Sequence, residues 1–435
     1  MEGFRARRRI ANWCLFAVRV IIVDGLAILG GAAVVLLTAG LTSRPAWLLI
    51  AGVVTMTGVL AGALLIAVPR RGSRRSRHAF AGTAIVVAAA VLGATVIPAV
   101  PGTRPATSGS MYWDVPTGSR LQYLRSPAKA GTAQGKPPVI FLHGGPGVAD
   151  LDSDLRHFAP VTAWGHDLYV YAQLGAGDSS RLADPRGYGR SRDVDDLEAI
   201  RQRLGAAEVI LIGHSYGGGL AAAYAARYPK RVAKLALISP MPLDPDDHSS
   251  NGVRKRLTTW QALRLYRGVA SPRSLMVYLL LQVEPSAAHA FMGDREADSR
   301  NDDVLALTEP ALHCTDTGPH PTTSQSGFYA LQYPQSAGAA RPADLRAPLQ
   351  AVSAPTLIVK GACDYLSWSS AIDYRRSLRH SSLLYLRGAG HNAYQDRPKG
   401  VLEAVHELLT DQAISNRYEE FEPPSDYQGP VSASP

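Results

Sequence analysis

The hydropathy of the chain changes character near residue 100. Before it, three long apolar runs cover about Val20–Leu41, Ala46–Val68 and Ala79–Val100. Each supplies roughly 20 residues, which at 1.5 Å rise per residue cross a hydrocarbon core of about 30 Å. The only charge inside them is Asp24. It is expected near the interface, at the end of its helix where the dipole favours an acid, with Arg19 extending its head group outward. Gly25, Gly30, Gly31, Gly52, Gly58 and Gly62 offer faces on which the helices can approach closely. A cleaved signal peptide would explain the first run alone; two further runs favour an anchor.

After residue 109 the pattern alternates between short apolar strands and helical stretches. The strands expected are Leu121–Leu124, Val139–Leu142, Leu168–Tyr171, Val209–Ile212, Leu235–Ile238, Thr356–Lys360 and Leu383–Leu386, with a helix over Asp193–Leu204. Such alternation predicts an α/β fold, a mostly parallel sheet with helices on both faces. From about residue 243 to 343 the alternation lapses into helical pieces such as Ser274–Gln282 and Asp302–Leu312, which suggests a helical cap inserted over the carboxyl edge of the sheet. The expected domains are therefore a membrane region over 1–105, an α/β domain over 106–413, and a polar, Pro/Ser-rich tail over 414–435 with the composition of a disordered segment.

Charge refines this picture. The formal charge of +9 comes from the amino-terminal region, where twelve arginines face only Glu2 and Asp24. Nucleic-acid binding by the rest of the chain is not implied. Arg5, Arg7, Arg8 and Arg9 precede the first run, and Arg70, Arg71, Arg74, Arg75 and Arg77 separate the second from the third. The short Thr42–Pro45 loop carries only Arg44. The positive-inside rule then puts the amino terminus in the cytoplasm of a multi-pass cell-membrane protein, and everything after Pro101 outside it.

The chemistry lies in the α/β part. Gly213-His214-Ser215-Tyr216-Gly217 follows the apolar run Val209–Ile212 and precedes a helical stretch. Strand, G-x-S-x-G turn and helix in that order describe a nucleophile elbow, in which a tight turn demands small flanking residues and lifts the serine above the sheet edge. A serine needs a base, and the base needs an orienting carboxylate, in the chain order Ser, acid, His. Asp364 follows the strand Thr356–Lys360 and His391 follows Leu383–Leu386, both at strand carboxyl ends. Ser215 is thus the expected nucleophile, His391 the base and then acid, and Asp364 the orienting acid. Asp373 and Asp396 are rival acids within expected helices, and His214 is a neighbour in the turn rather than a base. His143-Gly144-Gly145-Pro146-Gly147 directly follows another strand. The N–H of Gly145 can join that of Tyr216 as an oxyanion hole, where losing one donor typically costs on the order of 3 kcal/mol.

Three motifs together resemble the proline iminopeptidase branch of the α/β-hydrolase superfamily: His143–Gly147, Gln173-Leu174-Gly175-Ala176-Gly177-Asp178-Ser179, and Gly213–Gly217. Tyr228–Val232 and the surroundings of Asp364 and His391 are typical of the superfamily too. The resemblance covers about residues 110–412. It implies the α/β-hydrolase fold, a helical cap, no metal or other cofactor, and release of an N-terminal residue from peptides. Ala172-Gln173-Leu174-Gly175 departs from that branch's usual Asp-Gln-Arg-Gly, and His-Ser-Tyr-Gly-Gly is equally at home in esterases and lipases. An aminopeptidase of this kind needs carboxylates to hold the substrate's ammonium group. The cap supplies Glu284, Asp294, Glu296, Asp298, Asp302, Asp303, Glu309 and Asp316 as candidates beside a solvated-face alternative.

Three readings follow. The first is a membrane-anchored serine hydrolase acting as an aminopeptidase. The second is a carboxylesterase or lipase acting near the membrane. The third is a non-catalytic binding or sensor protein that keeps the fold. The expected partners are a small peptide or ester substrate and the lipid bilayer; the sequence leaves the oligomeric state open. Cys314 and Cys363 would face an oxidising exterior, where a bridge between them would tether the cap to the loop of Asp364.

Overall fold

A computed structural model describes residues 2–67, 73–129, 135–247, 249–314 and 325–432; Arg70, Arg71 and Asp316 lie outside these. The three apolar runs form helices α1 (Glu2–Ala39), α2 (Pro45–Ala67) and α3 (Arg74–Val96), each long and apolar enough to cross a membrane. Their ends differ from the hydropathy limits for local reasons. No breaker separates the arginine-rich start from the first run, so α1 extends back to Glu2. Ser73 caps α3 by accepting the Ser76 N–H at 3.2 Å, and the helix stops ahead of Pro98.

Of the six glycines, the structure uses Gly31 and Gly52 most directly. A Cβ on Gly52 would lie 2.6 Å from Val35 Cγ2, and one on Gly31 would lie 3.1 Å from the Gly52 carbonyl. Gly25, Gly58 and Gly62 have nothing within 4 Å. The expectation of Asp24 at the end of its helix is corrected. Asp24 lies near the middle of the Ile10–Ala39 apolar segment, 3% exposed, with neither carboxylate oxygen hydrogen-bonded among the described residues. The extended α1 moves the helix start away from it.

The α/β part is an eight-stranded sheet. Its strands are β1 (Met111–Asp114), β2 (Arg120–Ser126), β3 (Val139–Leu142), β4 (Leu168–Tyr171), β5 (Val209–His214), β6 (Val232–Ile238), β7 (Thr356–Gly361) and β8 (Ser381–Leu386). Their spatial order is β1-β2-β4-β3-β5-β6-β7-β8, antiparallel from β1 to β4 and parallel onward. Central strands β3, β4, β5 and β7 are buried along their whole length, which is why they are continuous apolar runs rather than alternating ones. All seven expected strands are present. β1 escaped notice because a four-residue edge strand offers little periodicity. Helices α4 (Arg190–Arg203) and α5 (Tyr216–Arg227) flank β5 in the chain.

The interruption between β6 and β7 is helical, as its composition suggested, and includes α6 (Pro272–Val283), α7 (Pro285–Phe291) and α8 (Asp294–Thr308). The chain divides into two compact units, Met1–Val100 with Val269–Glu296, and Pro101–Gly268 with Ala297–Pro435. The expected single domain over 106–413 is thereby revised: α6 and α7 group with the apolar helices. α6 packs on α1 and α3, and α7 on α2. Arg273 fixes this arrangement. Its guanidinium holds both oxygens of Glu296 at 2.8 Å and donates to the carbonyls of Thr95 and Val96 at 3.1 and 3.3 Å, serving the exposed last turn of α3.

Residues 414–432 correct the expectation of a disordered tail. The Tyr418 N–H donates to Leu383, the Gln428 N–H to Ala362 and the Trp368 N–H to Pro430. Ile414 is buried, and Trp368 Nε1 donates to the Phe421 carbonyl at 2.7 Å. The tail's few large aromatics, Tyr418, Phe421 and Tyr427, settle around Trp368 and Arg375, which composition alone does not reveal.

Cys314 and Cys363 form a disulfide with Cα atoms 5.4 Å apart, so the segment after α8 is joined covalently to the residue preceding Asp364. Closing a loop of 49 residues in the unfolded chain stabilises the fold by about 4 kcal/mol in the chain-entropy account. Cys363→Ser is expected to lower the thermal midpoint of the detergent-solubilised protein and to abolish the gel-mobility difference between reduced and unreduced samples.

Candidate active site

Ser215 stands between the end of β5 and the start of α5 with φ at 53°, a left-handed conformation that a non-glycine residue adopts only where its surroundings hold it. Its N–H donates to the Ile238 carbonyl at 3.0 Å. The flanking glycines are required by close backbone approach: a Cβ on Gly213 would run into the Gly217 carbonyl, and one on Gly217 into the Leu142 carbonyl.

The structure brings the three expected side chains to one place. His391 Nδ1 donates to Asp364 Oδ1 at 2.9 Å, and both residues are buried. The same carboxylate accepts the Leu366 N–H at 3.1 Å and, through Oδ2, the Lys360 ammonium at 2.9 Å. Burial would raise the pKa of Asp364, but Lys360 and His391 outweigh it and hold the carboxyl far below the usual carboxylate range. Burial in turn lowers Lys360 against the pull of Asp364.

On the other side of the imidazole stands Tyr365. Its ring lies against His391 with centroids 4.4 Å apart, its hydroxyl is 3.3 Å from Nε2, and it lines the cavity together with Ser215. A phenol oxygen thus stands next to His391 Nε2 on the cavity side. Burial pushes the Tyr365 hydroxyl up, so it is a neutral O–H. His214 is no rival base. Its Nε2 donates to the His391 carbonyl at 3.1 Å, and burial lowers it to about 3, so it is neutral and fixes the backbone of His391.

Gly145 and Tyr216 both face the cavity over Ser215. Gly145 has φ at 116°, and a Cβ there would meet the Gly147 and Val148 nitrogens at 2.8 Å. The loop is braced by His143, whose Nε2 accepts the Gln173 N–H at 2.9 Å while Gln173 Nε2 donates to the His143 carbonyl at 3.0 Å. That clamp joins two of the sequence motifs. Tyr216 is held by its own hydroxyl, which donates to Asp193 at 2.6 Å; burial pushes Asp193 up to about 7 against this hydrogen bond.

The rival acids have other partners. Asp373 pairs with Arg346 at 3.9 Å. Asp396 accepts the Gly390 N–H at 2.6 Å and pairs with His313 Nδ1 at 2.6 Å, while His313 Nε2 meets Glu309 at 3.0 Å. The cap acids are engaged as well. Glu284 caps α7, Asp294 pairs with His289, and Glu296 pairs with Arg273. Asp298 pairs with Arg181 and Arg104, and Asp302 with Arg104. Asp303 is exposed, and among the described cap acids only Glu309 lines the cavity. That cavity has a volume of about 1200 Å³, beyond the usual range of roughly 300–1,000 Å³ for small-molecule sites.

The family described as alpha/beta hydrolase fold matches residues 137–398. The chain belongs to the α/β-hydrolase family. It is 29% identical over 289 residues to the (lyso)-N-acylphosphatidylethanolamine lipase of Bos taurus, covering 63% of this chain and 80% of that one. It is also 29% identical over 294 residues to the 1-acylglycerol-3-phosphate O-acyltransferase ABHD5 of Homo sapiens, covering 63% and 77%. Among solved structures, proline iminopeptidase from Mycobacterium smegmatis aligns at a TM-score of 0.47 and 21% identity, over 70% of this chain and 98% of that one.

Three residues at this hydrolase site were not anticipated: Lys360, Tyr365 and His313. Lys360 carried a signal, as a lone cation closing an otherwise apolar strand. His313 carries a pH consequence. Burial alone would lower it, but Asp396 and Glu309 raise it to about 9. A folded-state value above the unfolded one, about 6.5, means stability that is complete below that value and lost as pH rises through about 9. The thermal midpoint of the protein is expected to fall across this window, and His313→Gln to flatten that fall, as read by unfolding scans at a series of pH values.

Proposed function

We propose that this α/β-hydrolase is a membrane-anchored serine hydrolase whose substrates are amphiphilic carboxylic esters, lipids with a long acyl chain foremost. The observation that carries the reading is the engagement of the cap acids. An aminopeptidase would keep carboxylates at the cavity for the substrate's ammonium group, whereas Glu296, Asp298 and Asp302 are held by arginines and Glu309 by His313, and the two other carboxylates lining the cavity, Asp150 and Asp154, accept the Ser153 N–H and the Tyr394 hydroxyl. The size of the cavity and the lipase name of the bovine relative support the same substrate class. The arginine distribution and the Cys314–Cys363 bridge support a hydrolase domain outside the cytoplasm.

In the proposed mechanism Ser215 Oγ attacks the ester carbonyl and its proton passes to His391 Nε2. Asp364 holds the imidazole by Nδ1 and stabilises the imidazolium. The N–H groups of Gly145 and Tyr216 receive the oxyanion. The imidazolium then protonates the leaving alcohol as the C–O bond breaks, leaving an acyl-Ser215. Water, deprotonated by His391, attacks that acyl group; the fatty acid departs and Ser215 recovers its proton. Lys360 keeps the buried carboxylate of Asp364 ionised throughout. Tyr365, whose hydroxyl lies 3.3 Å from His391 Nε2 in the cavity that Ser215 also lines, conducts the first proton between them.

The full-length protein in detergent is expected to hydrolyse a short-chain aryl ester and a lysophospholipid faster than an aminoacyl-arylamide, and to be labelled by a fluorophosphonate. Ser215→Ala should lose the label and about a thousandfold or more in kcat. Full activity in that variant, or a preference for the arylamide, would sink the proposal. Tyr365→Phe is expected to lower kcat by about tenfold or more with KM little changed, since only the hydroxyl beside His391 Nε2 is removed; an unchanged kcat shows instead that Ser215 and His391 meet directly during turnover.

A further inference from the structure

α6 lies within the cap insertion by sequence, yet it groups with the apolar amino-terminal helices and packs on α1 and α3. It has apolar side chains in two directions. Val277, Leu280 and Leu281 are buried. Leu275, Leu279 and Val283, spaced four residues apart, form a second stripe that is 49%, 44% and 47% exposed. Positions i, i+4 and i+8 share one face of a helix. On α3, Ile85 and Val86 are exposed to a comparable degree, 52% and 67%, as suits side chains turned toward lipid.

We propose that α6 is itself embedded in the bilayer, with Leu275, Leu279 and Val283 in contact with phospholipid acyl chains. Its 12 residues span about 18 Å, too short to cross a hydrocarbon core of about 30 Å. It therefore enters one leaflet, as an amphipathic interfacial helix does. The leaflet is set by Arg273, in the first turn of α6, which donates to the carbonyls of Thr95 and Val96. The amino-terminal end of α6 thus lies at the carboxyl-terminal end of α3. The occupant of the stripe follows from continuity: the opposite side of α6 is already packed on two helices whose own outward faces are built for lipid. The chain meets the bilayer twice, through its amino-terminal spans and again between β6 and β7.

The inference rests on the membrane reading of α1–α3, and the test separates the two. The full chain carrying Cys14→Ser, which removes the free exposed thiol while Cys314 and Cys363 stay bridged, receives a single cysteine at Leu279. It is labelled with a polarity-sensitive fluorophore and placed in phosphatidylcholine nanodiscs with or without spin-labelled phosphatidylcholine. Val86→Cys on α3 serves as the lipid-facing control and Lys399→Cys, whose side chain is 89% exposed, as the aqueous one. The expected result is blue-shifted emission at position 279, with quenching at least half that at position 86, and the same at Val283→Cys, a second exposed site should the first variant fold poorly. Emission at 279 and 283 matching position 399, while position 86 is quenched, would overturn this inference alone. Loss of quenching at position 86 as well would overturn the membrane reading with it. Disulfide-linked dimers through position 279, unquenched by lipid, would assign the stripe to a second copy and overturn the inference.

Discussion

A buried carboxylate held by an ammonium group and an imidazole organises the centre of this protein. Asp364 is fully enclosed, and an isolated charge there would not survive burial. Lys360 on one oxygen and His391 on the other make the ionised form stable, and the Leu366 N–H completes its shell. Breaking one side of such an arrangement strands the rest, because a buried charge that loses its partner costs far more than the pair contributes. The imidazole is therefore locked in one tautomer, with Nε2 turned toward Tyr365 and Ser215.

Much of the remaining structure converges on that loop. The disulfide joins the preceding residue, Cys363, to the cap at Cys314, and His313 beside it is bonded to Asp396, which in turn accepts the Gly390 N–H next to His391. From the other direction the carboxyl-terminal segment lays Gln428 on Ala362 and the Tyr427 hydroxyl on the Leu366 carbonyl. Asp364 and His391 sit on separate loops after β7 and β8. Covalent, ionic and backbone ties hold both loops, as a site that must keep its geometry within a fraction of an ångström requires. Proximity of this kind matters because the reacting groups supply catalysis only when their positions are set before the substrate arrives.

The cap illustrates how polar residues can mislead when read along the chain. Its run of acids looks like an amine-binding surface, but Asp298 and Asp302 hold Arg104 and Arg181, while Glu296 holds Arg273. These are partners from distant parts of the chain. Long-range ion pairs leave no periodic trace, so a cluster of carboxylates cannot be assigned to solvent, substrate or structure from spacing alone.

Local rules determined a good deal. The glycines around Ser215, the apolar runs of β3, β5 and β7, and the order of serine, acid and histidine are legible because each reflects a short-range constraint: a turn too tight for a Cβ, a strand buried on both faces, a functional group at a strand end. Three amino-terminal helices follow from length and hydropathy in the same way. Tertiary structure alone decided that Lys360 neutralises Asp364, that the Tyr365 hydroxyl stands at His391 Nε2, that the tail is ordered on Trp368, and that α6 groups with α1 and α3. Each depends on side chains far apart in sequence being brought within a few ångströms, where burial and charge pairing, rather than propensity, set what every group can do.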